Sequence, residues 1–233
     1  MHIRNLLERD LYRYNHKWED NDEPTLLIPA GRGWRSSSSN VIAYNIQLWA
    51  EAKGVNMPRR WHSTFTTTDT EDSLFFGSTG FAKGTRKVEI PLDTTVGWVR
   101  DDLNVHHGLT CLYTLRELVQ DLEDDELLGE YNAFVRDGGD EYQFAISDAG
   151  YQAYKVFIAK IDWALESVDP ERRRLALALG GMEESVAASL VNGIQKMVDQ
   201  KIMGCCPLSE VPHPGGFEVW FEGPFKAHVI QAQ

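Results

Sequence analysis

Cysteine is scarce in this chain: three in 233 residues, Cys111 and the adjacent pair Cys205 and Cys206. Three cysteines cannot build a disulfide framework, and neighbouring cysteines bridge one another only under strain, so a reducing compartment is expected. Cys205, Cys206, His213 and His228 match no metal-ligand spacing, and vicinal cysteines seldom both reach one ion, so no metal is expected. Base is also short, with 23 Lys and Arg against 35 Asp and Glu and a net charge of −12. That balance argues against a general affinity for nucleic-acid phosphates or anionic lipid, both of which need basic surface, and favours a protein as the macromolecular partner. No apolar run approaches the roughly 18 residues of a membrane span. The opening "MHIRNLLERDLYRYNHKWED" carries charge where a signal peptide needs an apolar core, so a cytoplasmic protein without membrane contact is expected. Internal repeats and a low-complexity tail are also missing. His106 and His107 in "VHHGL" would point to opposite faces of a strand and read as polar loop residues.

What is present is ordinary globular material, 42% hydrophobic and 25% charged, enough for one large domain or two small ones. Ile3, Leu6, Leu7, Leu11 and Tyr14 recur at near-helical spacing, predicting a first helix over 2–18 that ends at the "EDNDEP" loop. "TLLIPA" reads as a short buried strand. "GRGWRSSSSN" leads into a helix through "VIAYNIQLWAEAKG", with Asn40 as expected N-cap and Gly54 as stop. "HSTFTTTDT" predicts a strand through about Thr67, then a short helix capped by Asp69 or Thr70 and ending at Gly77. "TRKVEIPLD" and "VGWVR" alternate like half-buried strands, with a bend at Pro91.

From "LTCLYTLRELVQDLEDDELLGEYNAFVRDG" the pattern turns helical, Leu112, Leu115, Leu118, Val119 and Leu122 forming one stripe, and "DLEDDE" reads as a solvated face. "EYQFAIS" reads as a short strand. Helices are predicted over 148–167 and 183–202, with "VDPERRRLALALGG" as punctuation between them and "CCPLSEVPHPGG" as loop. "GFEVWFEGPFKAHVI" closes the chain as a hairpin turning at Glu222, Gly223 and Pro224. A lone hairpin is marginal in water, so this one is expected to rejoin the early strands. The fold class is α+β. Segments 1–109 and 207–233 are expected to form the α/β core and 110–206 a helical insertion.

Three polar features stand out. Arg32 follows the "TLLIPA" strand between glycines, with Arg35 and Ser36 to Ser39 nearby, an arrangement suited to a phosphate. Thr66, Thr67 and Thr68 lie along a strand, and Glu218 opens a late one. An arginine, a hydroxyl-rich middle strand and a late glutamate, in that order, resemble the arginine, serine, glutamate set of the ADP-ribosyltransferases. "FTTTDTEDSLFFG" is similar to that family's middle strand and following short helix, with threonine in place of serine. "RKVEIPLDTTVGWV" is similar to its next strands, and "EVWFEGPFKAHV" to its glutamate strand, turn and returning strand.

The resemblance implies a split β-sheet core assembled from N-terminal and C-terminal strands. It implies NAD as substrate, held by Arg32 or Arg35 with Thr67 and Thr68, and Glu218 as the catalytic glutamate. Glu141 in "GGDEYQF" is a second candidate acid, ranked behind Glu218 because no turn and returning strand follow it. Gly216 stands where many members carry glutamate or glutamine, which argues against arginine as the acceptor. Two alternatives stay open: a non-catalytic acidic binding or inhibitor protein, viral or bacterial, that meets a basic partner through "DLEDDELLGE", and an inactive ADP-ribosyltransferase-like structural protein.

Overall fold

The computed structural model describes residues 10–30, 40–68, 84–100, 115–135, 147–182, 184–212 and 217–230, apart from the side chains of His16 and Asn40. The chain divides into two compact units, one of Met1–Trp34, Asn56–Asn104 and Lys201–Gln233, the other of Arg35–Val55 and Val105–Gln200. Among the described residues no helix is long and apolar enough to cross a membrane.

The first unit is built on an antiparallel sheet of eight strands: β1 (Leu11–Tyr14), β2 (Thr25–Ile28), β3 (Thr64–Thr67), β4 (Thr85–Glu89), β5 (Thr95–Arg100), β6 (Met203–Pro207), β7 (Phe217–Phe221) and β8 (Phe225–Val229), in the order β2-β8-β4-β1-β3-β7-β5-β6. Side chains alternate between the faces of a strand, so register decides who meets whom. One face collects Leu11, Val88, Val96, Trp98, Phe217, Val219, Phe221, Phe225 and Ala227 into an apolar core that also buries Trp18 and Leu208. Burying each large side chain of this kind stabilises the fold by roughly 1.5–3 kcal/mol. The sheet narrows at its middle, where β1 and β3 share one registered pair, Tyr12 with Thr67, while β4 pairs four residues with β1 and four with β8.

Several expectations are corrected here. Residues 11–14 form a strand and not part of a helix, because Leu11 enters the sheet core opposite Val88 while Tyr12 points the other way. The β2 strand lies at the sheet edge, half-exposed with Leu27 at 77%, and is not buried. Residues 203–207, with 205–207 expected as loop, are the other edge strand, paired with β5 over five positions. The C-terminal strands do not form a hairpin: β7 inserts between β3 and β5, β8 between β2 and β4. Gly223, at φ +114, makes the turn from which they part. Their return to the early strands is as expected.

The second unit holds α1 (Asn40–Lys53), α2 (115–121), α3 (Asp125–Val135), α4 (Asp148–Glu166), α5 (Pro170–Leu179) and α6 (Val186–Asp199). The segment expected as punctuation is helix α5: Asp169 accepts from the amides of Glu171 and Arg172, and Pro170 sits in the first turn, where its missing N–H costs nothing. Ser147 and Ser185 cap α4 and α6 likewise, accepting from Gly150 and Ala188. Gly54, at φ +66, ends α1 as expected. Tyr44, Phe134, Tyr151, Tyr154 and Phe157 pack ring against ring in this unit, and the Tyr154 hydroxyl donates to Asn45 Oδ1 at 2.7 Å. Burial pushes the Tyr44 phenol up to about 12. The expected helix ending at Gly77 and the expected strand at 141–146 lie outside the described residues.

Candidate functional site

Period two settles why a carboxylate sits in the aromatic strand β7. Phe217, Val219 and Phe221 enter the apolar core, so Glu218 and Trp220 point together from the opposite face. On that face the register sets Glu218 across from Thr67 and Trp220 across from Phe65 on one side, and across from Val99 and Gly97 on the other. Directly opposed side chains in an antiparallel pair lie about 5 Å apart at Cβ. Gly97 leaves room for the indole: a Cβ there would sit 2.2 Å from Trp220 Cε2.

The segment before β3 lies over this face. Residues Arg60–His62 make a 3-10 turn that buries Arg60 and Trp61. Its approach is held by the Trp220 Nε1–H, which donates to the Pro58 carbonyl at 2.9 Å, and by the Arg59 amide, which donates to Glu222 Oε1 at 2.7 Å. Arg60 therefore reaches Glu218, Nη2 donating to Oε1 at 2.8 Å, with both side chains almost dry, 5% and 1% exposed. The guanidinium carbon stands 4.8 Å from the Phe65 ring centroid and 4.5 Å from that of Trp220. A carboxylate and two ring faces thus surround one planar cation, all three attractive to positive charge.

Of the residues singled out in the sequence, Thr67 and Glu218 are brought together. Thr68 closes the end of the β3–β7 ladder: its hydroxyl accepts from the Phe217 amide at 3.0 Å, and its own amide donates to the Phe217 carbonyl at 3.0 Å. The Thr66 hydroxyl donates to the Val219 carbonyl at 3.0 Å on the core side. Arg32, Arg35, Glu141 and Gly216 lie outside the described residues.

Sequence reasoning missed Arg60, which supplies a base for Glu218 from 158 positions away. The one local sign was "PRRWH" immediately upstream of the threonine strand. It also missed Arg13, whose Nη1 donates to the Phe65 carbonyl at 3.0 Å, and buried Arg86, whose Nη1 and Nη2 donate to the carbonyls of Glu23 and Asn21 at 2.7 and 2.6 Å. These contacts tie β1 to β3 and hold down the chain entering β2. Among the described residues no three His, Cys, Asp or Glu side chains gather where a metal could be held. Comparison of the chain with protein-family models, with curated proteins and with solved structures finds no match.

Proposed function

We propose that this chain is an NAD-dependent mono-ADP-ribosyltransferase in which Glu218 is the catalytic glutamate and a protein is the acceptor. The observation that carries the reading is the register of Glu218 against Thr67, an anionic oxygen and a hydroxyl on one water-poor face. In the reaction the bond between ribose C1′ and the nicotinamide nitrogen breaks, and its electron pair leaves with neutral nicotinamide. A lone pair of the acceptor forms the new bond at C1′, and the acceptor's proton passes to solvent. Positive charge develops on the ribose as the bond opens. A fixed carboxylate in a low-dielectric setting stabilises that charge by several kcal/mol. Thr67 would orient the carboxylate from across the strand pair. A planar cation already lies against Phe65 and Trp220 beside Glu218, and the nicotinamide ring of NAD is also planar and cationic. Arg32 or Arg35 would take a phosphate.

Incubation with labelled NAD and a cell lysate tests the proposal. Labelled protein or free nicotinamide is expected, and Glu218→Gln, which keeps an oxygen for Arg60, is expected to abolish both with an unchanged circular dichroism spectrum. The absence of label and nicotinamide from the wild type would end the reading.

A second reading has its own support. Glu218 is 1% exposed and paired with a buried arginine, which is what a structural ion pair in an ADP-ribosyltransferase-like protein without activity would display. The same assay separates the two.

A further inference from the structure

Arg60 is the buried charge that the proposed reaction leaves unused. With Arg60 at 5% and Glu218 at 1% exposure, both groups are closed off from solvent, and the guanidinium occupies the place on the carboxylate that another cation would need. The Phe65 and Trp220 rings have centroids 6.4 Å apart and tilt by 32°, so the guanidinium lies against both. Ring faces attract cations through the quadrupole, and a flat, delocalised cation loses its water more readily than a compact ammonium and can lie along a ring. The carboxylate adds a directed acceptor for N–H groups. The chemistry of this enclosure selects for shape and charge together: flat and cationic.

We infer that Phe65, Trp220 and Glu218 form a binding site for a planar organic cation of the guanidinium or N-alkylpyridinium class, which Arg60 fills as an internal ligand. An incoming cation has to displace a tethered competitor held at high effective concentration, so the wild type binds free cations weakly. Contacts of the flanking chain position that competitor: Arg59 N–H to Glu222, Trp220 Nε1–H to the Pro58 carbonyl, and Ser63 Oγ–H to the Arg59 carbonyl at 2.7 Å. The consequence for turnover rests on the transferase reading above. The nicotinamide of NAD is an N-alkylpyridinium, so Arg60 would act as a plug that slows its entry. The binding property itself does not depend on turnover.

The test compares the wild type with Arg60→Ala in thermal melts and in the NMR signal of the Trp220 indole N–H, using methylguanidinium, 1-methylnicotinamide, methylammonium and neutral methylurea at constant ionic strength. Arg60→Ala is expected to show saturable stabilisation and a shifted indole signal with the two flat cations, at a half-saturating concentration at least tenfold below any wild-type response. Methylammonium and methylurea are expected to do little. Equal responses from wild type and variant, or a response to methylammonium as large as to methylguanidinium, would overturn the site.

Because Arg60→Ala removes a cation from a buried carboxylate, Arg60→Ala/Glu218→Gln is made alongside it. That pair is expected to respond to both methylguanidinium and methylurea, with a smaller preference for the cation than Arg60→Ala shows, and no response to either would overturn the site. Nicotinamide release from subsaturating NAD separates the two claims. A site that binds 1-methylnicotinamide in a protein that never releases nicotinamide leaves the inference standing and removes the transferase. Release that depends on Glu218, with no cation binding in Arg60→Ala, does the reverse.

Discussion

Arg60 and Glu218, 158 positions apart, form an ion pair of 2.8 Å in which neither side chain is more than 5% exposed. Such a pair contributes little net stability, because desolvating both charges offsets most of their attraction, but breaking it is costly. Arg60→Met alone is expected to destabilise the protein by about 3–5 kcal/mol. Arg60→Met/Glu218→Met is expected to be more stable than Arg60→Met, since the desolvated carboxylate is then removed together with the guanidinium that it faced. Urea denaturation followed by tryptophan fluorescence checks this, and strictly additive losses would contradict the pairing.

Gly97 is required by the indole across from it. A Cβ at Gly97 would lie 2.2 Å from Trp220 Cε2, and one at Gly204 would lie 2.7 Å from Trp98 Cζ2. Gly97→Ala is expected to cost about 3 kcal/mol, the upper end of overpacking penalties, and Gly204→Ala less. Replacing Trp220 by Leu in the Gly97→Ala background should return part of the loss. Melting curves of the four proteins decide it.

A pH effect is expected from the surface of the sheet. The Glu89 carboxyl is held below the usual glutamate range, first by its hydrogen bond from Lys226 and then by His228. A carboxylate favoured in the folded state adds stability above its unfolded pKa and loses it as the pH falls through the folded value. The difference in stability between wild type and Glu89→Gln should therefore be present at about pH 6 and vanish by about pH 3. Its size should stay under about 1 kcal/mol, because Glu89 and Lys226 are half-exposed and screened by solvent. A gap that widens in acid would show that another group is responsible.

Cys205 should be a sluggish nucleophile. Burial, and then its neighbour Cys206, push its thiol up to about 11. Since the thiolate is the reactive form, iodoacetamide at about pH 8 should modify Cys205 on the order of a hundredfold more slowly than a thiol in an unstructured peptide. The rate should still be rising near pH 10. Peptide mass spectrometry after timed alkylation measures it, and a rate that levels off by about pH 9 would refute the burial argument.

Patterns that a few neighbouring residues complete were legible before the fold. "FEVWF" was legible as a strand carrying Glu218, and Gly223 marked the turn after it. The helical spacing of "VIAYNIQLWAEAKG" with its terminal glycine marked α1. The signal for α5 was equally local, an N-cap aspartate followed by proline, yet the prolines and glycines around it also punctuate loops. Residues 11–14 misled because four residues of strand follow apolar positions spaced like a helix, and only the pairing with β4 chooses between the two. "MGCCP" carries almost no strand signal of its own, and its backbone becomes a strand because β5 offers a ladder to complete.

The sequence by itself determined the local periods, the caps, the acidic balance and the strand that carries Glu218, since each depends on covalent geometry and residues within a turn or two. Only the tertiary structure decided that β7 and β8 separate into different parts of the sheet, and that Arg60, 158 positions away in the chain, meets Glu218. The reason is physical. Which strand lies beside which depends on burying one apolar face made of segments far apart in the chain. The partner of a buried charge is whichever opposite charge that burial carries to it, and no short-range pattern encodes that meeting.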